Sequence, residues 1–263
     1  MTKRRLNIGS SPISYRVEGT GKPVVLVHGF GEDSRVWDLQ VKDLKDKFQF
    51  TLPDLPGSGS SDLIDDMSIE GMAEVIKAMI DQEGINKFCL IGHSMGGYIA
   101  LAFAEKYPFL LNGLGLFHST SYADTEEKKA VRRKGIEFIN QHGAFEFLKT
   151  TTPNLFSQQT RDGRPQLVEE FVSHLSNFSP AALVSYYEAM MLRPDRTDVL
   201  KNALFPVLFT MGEYDTAIPL KDSLEQCHLP EKSYIHILHK SGHMGMLEEK
   251  EGSTRILNEF VSI

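Results

Sequence analysis

Two cysteines in 263 residues leave no disulfide framework to read. Cys89 lies inside "FCLIG" and reads as a small core residue, and Cys227 falls near the end of a helical stretch, so a reducing, cytoplasmic setting is the default expectation. Positive charge is also short. With 28 Lys and Arg against 35 Asp and Glu the net charge is −7, which argues against non-specific nucleic-acid binding. No apolar run is long enough to span a bilayer, so no membrane partner is expected. The opening "MTKRRLNIGSSPIS" has basic residues without an apolar h-region, and a secretory signal is not expected. "GTGKP" lacks the Ser or Thr and the spacing of a phosphate loop, and no H-E-x-x-H occurs. His239 and His243 are four apart, but Ser241 and Gly242 between them disfavour a helix, so metal binding is not expected.

What is present is strand–helix alternation. "KPVVLVHG", "FQFTLPD", "KFCLIGHS", "LNGLGLFHS", "FPVLFTMGE" and "KSYIHILHK" are short runs rich in β-branched or aromatic residues, bounded by Gly, Pro or Asp, and read as buried strands. Between them, "RVWDLQVKDLKDKF" carries Val36, Leu39, Leu44 and Phe48 near helical spacing. "SIEGMAEVIKAMIDQEG" predicts a helix capped by Ser68 and stopped at Gly84. Such alternation implies an α/β fold: a mostly parallel sheet flanked by helices, with ligands beyond the carboxyl ends of the strands. The alternation stops between residues 118 and 196, where only helical patterns occur. Asp124 with Glu127 looks like a capping box for the first; Leu167, Phe171 and Leu175 line a second; Leu183, Tyr187 and Met190 or Met191 line a third. The expected organisation is therefore a core of residues 1–117 and 197–263, with residues 118–196 inserted as a helical lid over that edge.

At the end of one predicted strand stands "IGHSMGG", with Ser94 flanked by Gly92 and Gly96. Glycines there permit a sharp strand-to-helix turn that holds a Ser exposed. A Ser hydroxyl is a weak nucleophile and needs a base, a group that orients the base, and donors for an oxyanion. Asp215 follows the "FPVLFTMGE" strand, and His243 follows "KSYIHILHK". "HGFG", residues 28–31, follows "PVVLV" and offers the Phe30 amide as one oxyanion donor; the Met95 amide, next to Ser94 at a helix start, is the other.

The pieces "HGFG", "DLPGSGSSD", "GHSMGG", "GEYDTAIP" and "SGHMGMLEE" occur in the order and at the distances of the α/β-hydrolase superfamily, which the chain resembles over nearly its full length. The resemblance implies a Ser94–His243–Asp215 triad, no cofactor, and a small-molecule ester as substrate. Ser at the elbow, where haloalkane dehalogenases have Asp, argues against dehalogenation. The size and helical insertion are similar to the compact esterase, lactonase and carbon–carbon-bond hydrolase branch, and a ligand receptor on this fold is the alternative from another class. Glu248 is expected to anchor the His243 loop, Asp54 to shape the loop after its strand, His28 to hold the oxyanion loop, His93 to pack, and Trp37 to sit under that loop. His118, Tyr187, Met190 and Met191 are candidate pocket residues; Asp124 is a rival triad acid better explained as a cap. Lys128, Lys129, Arg132, Arg133 and Lys134 form a basic strip that reads as a solvated face or as a dock for an acidic carrier.

Overall fold

The protein's structure, a computed structural model, describes residues 2–263. Eight strands form one sheet: β1 (Thr2–Ile8), β2 (Ser11–Glu18), β3 (Lys22–Val27), β4 (Phe48–Pro53), β5 (Phe88–His93), β6 (Leu111–Phe117), β7 (Val207–Gly212) and β8 (Ser233–Leu238). Their order is β1-β2-β4-β3-β5-β6-β7-β8; β3 to β8 run parallel, and β1 and β2 are antiparallel. All six strands expected from apolar runs form. Parallel strands covered on both faces are apolar throughout, and every residue of β7 is buried. The β1–β2 hairpin was not signalled, because β1, "TKRRLNI", buries only Leu6. Its charged residues suit a sheet edge, where an apolar strand would invite pairing with another chain.

Helices α1 (Asp38–Leu44), α2 (Ile69–Gln82) and α3 (Met95–Lys106) connect the central strands. Ser68 caps α2 by accepting the Gly71 amide at 3.0 Å, and the chain turns at Gly84 with φ 66°. Phe48, expected on the first helix, instead opens β4 and is buried there, because the helix ends four residues earlier. Helices α2 and α3 cover one face of the sheet; α1 and the last helix, Lys250–Val261, cover the other. Trp37 is fully buried edge-on to Phe117, with ring centres 5.3 Å apart. Cys89 is half-buried rather than core, and both thiols are free.

Between β6 and β7 lie α4 (Glu126–His142), α5 (Ala144–Thr151), α6 (Gln158–Gly163), α7 (Pro165–Ser173) and α8 (Pro180–Leu192), with no strand among the described residues there. The cap of α4 is Thr125, whose hydroxyl accepts the Lys128 amide at 3.3 Å, and not Asp124. Asp124 is turned inward, where two guanidiniums compensate its charge. Leu175 lies beyond the end of α7. On α8 the buried stripe runs through Leu183, Tyr186 and Met190, whereas Tyr187 is half-buried. The Tyr186 hydroxyl donates to the Pro56 carbonyl at 2.6 Å, which ties this segment to the loop after β4.

The chain steps from β3 outward to β4, then crosses back over β3 to β5. The sheet's direction of growth reverses between β3 and β5. Loops leaving such neighbours diverge and leave a crevice at the carboxyl ends. "HGFG" leaves β3 and "SMGG" leaves β5, so the switch point is where both motifs emerge.

Candidate active site

Ser94 is the turn between β5 and α3, with φ 51° and ψ −117°. A non-glycine residue in that region carries a strain of about 1–3 kcal/mol, held here by its surroundings. The Ser94 amide donates to the Phe117 carbonyl at 3.0 Å, and its carbonyl accepts the Ser119 hydroxyl at 2.8 Å. The flanking glycines are required by close approach: an added Cβ would lie 2.1 Å from the Gly96 carbonyl oxygen at Gly92, and 2.6 Å from the Val27 and His28 oxygens at Gly96. Ser94 itself remains partly exposed, at the amino end of α3.

Asp215 and His243 meet from different loops. His243 Nδ1 donates to Asp215 Oδ2 at 2.7 Å, and Asp215 Oδ1 accepts the Ala217 and Ile218 amides, both at 2.9 Å. Burial alone would raise the Asp215 pKa, but the His243 charge and the donated hydrogen bonds outweigh it and hold the carboxyl far below its ordinary range. His243 moves the other way. Burial opposes its charge, yet the Asp215 carboxylate raises its pKa above the ordinary imidazole value. Glu248 anchors the His243 loop as expected: Oε1 accepts the Gly242 amide at 2.8 Å and the Met244 amide at 3.2 Å, and Oε2 accepts the Ser157 amide at 2.8 Å. The His243 amide donates to the Leu155 carbonyl at 2.6 Å, so the helical insertion is bonded to the site.

Around the β3 loop, His28 Nδ1 donates to the Gly29 carbonyl at 2.9 Å, and Nε2 accepts the Leu55 amide at 2.9 Å. Asp54 accepts the Ser34 and Ser60 amides, as a loop-shaping residue should. Glu32, which the sequence reading passed over, is buried beneath the loop. Its Oε2 accepts the Gly29 amide at 2.7 Å and faces His93 Nδ1 at 2.9 Å. His93 Nε2 donates to the His243 carbonyl at 3.0 Å. A carbonyl offers no proton, so Nε2 carries one; the short contact from Nδ1 to Glu32 requires another between them. This chain links the β3 loop, the end of β5 and the His243 loop. Burial raises the Glu32 pKa, but His93 and the Gly29 amide outweigh it, and the carboxyl sits below its ordinary value. Among the described residues, no acceptor takes the Phe30 or Met95 amide.

Replacing Glu32 by Gln removes the carboxylate charge, and the two partners that share Oε2 then meet a neutral amide oxygen. The expected cost is about 1–3 kcal/mol of stability, because two charge-assisted buried hydrogen bonds become neutral ones. It comes with about a tenfold drop in kcat, since the Gly29–Phe30 loop is held less tightly. Thermal melts and ester kinetics on Glu32→Gln check both; an unchanged kcat would separate this chain from the chemistry.

Of the four candidate pocket residues, His118 is buried with Nδ1 3.1 Å from Asp215 Oδ2. Tyr187 stacks on Phe30 with ring centres 4.4 Å apart. Met190 is buried with its carbonyl taken by Arg193, and Met191 is half-buried. One further residue had no sequence signal: Arg193 lies 3.8 Å from the Tyr98 ring centre and pairs with Asp124 at 2.9 Å. Arg132 also pairs with Asp124 and lies 5.4 Å from the Tyr187 ring centre, which takes it out of the basic strip. Lys129 and Arg133 pair with Glu126 at 2.9 and 3.7 Å. His239 is exposed and pairs with Glu213, away from His243. The donor atoms of His118, Asp215 and His243 lie within 4.8 Å of one another, close enough for a metal. Both Nδ1 atoms there are committed as proton donors to Asp215, so these groups are engaged as hydrogen-bond partners.

A family model described as the alpha/beta hydrolase fold matches residues 22–126. A thermophilic esterase from Thermogutta terrifontis superposes with a TM-score of 0.92 at 29% identity, covering 100% of this chain and 98% of that one. Pyrrolizixenacetamide deacetylase of Xenorhabdus hominickii is 25% identical, over 98% of this chain and 97% of its own. The 2-hydroxy-6-oxo-6-phenylhexa-2,4-dienoate hydrolase of Comamonas testosteroni is also 25% identical, over 95% and 91%. The matched segment runs from β3 through the elbow, and the likeness to the Thermogutta esterase extends over the remaining strands that carry Asp215 and His243: the chain has the α/β-hydrolase fold.

Proposed function

We propose that the protein is a serine hydrolase that cleaves carboxylic esters through an acyl-enzyme. The observation that carries this is the Asp215–His243 pair at 2.7 Å on the sheet edge that also presents a strained, partly exposed Ser94. With Nδ1 committed to Asp215, Nε2 is the basic atom of His243. It takes the Ser94 proton as Oγ attacks the ester carbonyl, and returns it to the departing alcohol. The Phe30 and Met95 amides donate hydrogen bonds to the developing oxyanion, aided by the positive end of α3. Water then attacks the acyl group, again deprotonated by His243, and the carboxylic acid leaves. Residues 118–196 act as the lid, a reading supported by the Tyr187–Phe30 stack and the Leu155–His243 bond. A cytoplasmic setting fits two free thiols. No helix among the described residues is long and apolar enough to cross a membrane.

The test is a panel of p-nitrophenyl esters of increasing acyl length, run beside lactones and a 2-hydroxy-6-oxo dienoate. Steady multiple turnover of the esters supports the proposal. Turnover of the dienoate alone favours carbon–carbon-bond cleavage, the reading that the Comamonas relative supports. A single turnover followed by arrest favours the ligand receptor.

An acidic carrier at the lid remains the sharper reading of the basic strip. Because Arg132 belongs to the Asp124 pair, the informative variant is Lys128→Ala with Arg133→Ala and Lys134→Ala. At ionic strength well below 0.1 M, where the Debye length exceeds about 10 Å, this variant should lower kcat/KM for an anionic ester several-fold while a neutral ester barely changes. An unchanged ratio of the two at both low and high salt would make the strip a solvated helix face.

A further inference from the structure

Asp215 Oδ2 has two imidazole partners. Besides His243, His118 approaches it at 3.1 Å through Nδ1, and His118 belongs to neither the elbow nor the oxyanion loop. Its placement is constrained on every side. His118 follows β6 directly, with φ 49°, a left-handed conformation that is uncommon outside glycine and Asn. Its amide donates to the Thr210 carbonyl at 2.8 Å, which ties it to β7. Its ring fills the space above Gly245, where an added Cβ would lie 2.4 Å from Nε2. Nε2 is buried with no hydrogen-bond partner. An imidazole in that setting is neutral, with its one proton on Nδ1, and burial pushes its pKa down to about 4.

We propose that His118 is a positioning residue for the triad acid: its Nδ1–H, given to the same Asp215 oxygen that takes the His243 proton, fixes the carboxylate and moderates the basicity of His243. The inference rests on the serine-hydrolase reading. With His118 in place, all four acceptor positions of Asp215 are filled: Ala217 and Ile218 amides on Oδ1, His118 and His243 on Oδ2. Each donated bond withdraws charge from the carboxylate and weakens its field at His243. Taking away the His118 donor returns that charge, so the pH below which His243 becomes protonated and inactive moves up. The other charged or titratable groups close to the three are His93, whose ring centre is 6.0 Å from that of His118 and 4.9 Å from that of His243; Glu32, bonded to His93; and Glu248, bonded to the His243 loop. None is altered in the variants below.

The experiment compares the pH profile of kcat/KM for p-nitrophenyl acetate in wild type, His118→Leu and His118→Asn. Leu has no donor. Asn carries an N–H at the same bond separation from Cα as His Nδ1 and tolerates the left-handed backbone. In His118→Leu the acid limb is expected to move up by about one pH unit. The plateau should fall about tenfold, because Asp215 loses a fixed contact. His118→Asn should return the limb to its wild-type position. An unmoved limb in the Leu variant, or the same displacement in both variants, overturns the proposal. If His118→Leu does not fold, proton resonances of the imidazole N–H groups of wild type decide: two downfield signals, both shifted in Asp215→Asn, are expected, and a His118 signal that does not respond overturns it. A fluorophosphonate probe is applied to all variants. Failure to label wild type at Ser94 would defeat the serine-hydrolase reading, whereas labelling with an unmoved limb defeats only the role of His118.

Discussion

Ser94→Ala is expected to abolish ester turnover, by about 10⁶ in kcat, while leaving the fold in place. The nucleophile supplies the only covalent attachment in the proposed path, and the His243 base has no proton to take without it. Labelling by a fluorophosphonate should occur on Ser94 in wild type and vanish in the variant. Strain makes a second, independent reading of the same position. At φ 51° and ψ −117° Ala is as crowded as Ser, but Gly is not. Ser94→Gly should therefore melt higher than Ser94→Ala while being equally inactive, a difference of about 1–3 kcal/mol if the backbone strain is released in full. Full activity in Ser94→Ala, with another Ser labelled, would end the assignment of the nucleophile.

Asp215→Asn is expected to cost about 10⁴ in kcat. An amide N–H at the Oδ2 position would face both His118 and His243 as a donor, and His243 could meet it only in the wrong tautomer. The acid limb of the residual activity should move down, because the carboxylate that raises the His243 pKa is gone. That is opposite to the shift expected for His118→Leu, so the two variants test the same charge from both sides. Asp124→Asn provides the contrast. Asp124 compensates Arg132 and Arg193, whose side chains are 18% and 2% exposed, so its loss leaves buried cationic charge and should destabilise by about 3–5 kcal/mol. Its kcat, measured below the melt, should stay within a few-fold of wild type. Reversal of the two activity effects would move the triad acid to the β6 loop.

The parts of this protein that could be read from the chain are those specified by local chemistry. Six core strands were legible because strands covered on both faces are predominantly apolar, as "VLFTMG" is apart from Thr210. Ser68 was legible as a cap because a Ser before an amphipathic helix has one dominant use there. Ser94, Asp215 and His243 were legible because each sits in a turn whose glycines or proline mark a strand end. The β1–β2 hairpin was not, since an edge strand buries little and "TKRRLNI" carries no apolar pattern. Asp124 was misread for a related reason: Thr125 beside it caps just as well, and only the fold brings Arg193, on the far side of the insertion, to its carboxylate. Glu32, His93 and His118 illustrate the limit most clearly. Glu32 and His118 have no motif of their own, and His93, although inside "GHSMGG", carries no sign there of what it bonds; the partners are 61, 150 or 97 positions away. Sequence determines which groups stand at the ends of the strands, because turn chemistry is local. Only tertiary packing decides which of them share a proton, because that depends on separations of about 3 Å between segments that are remote along the chain.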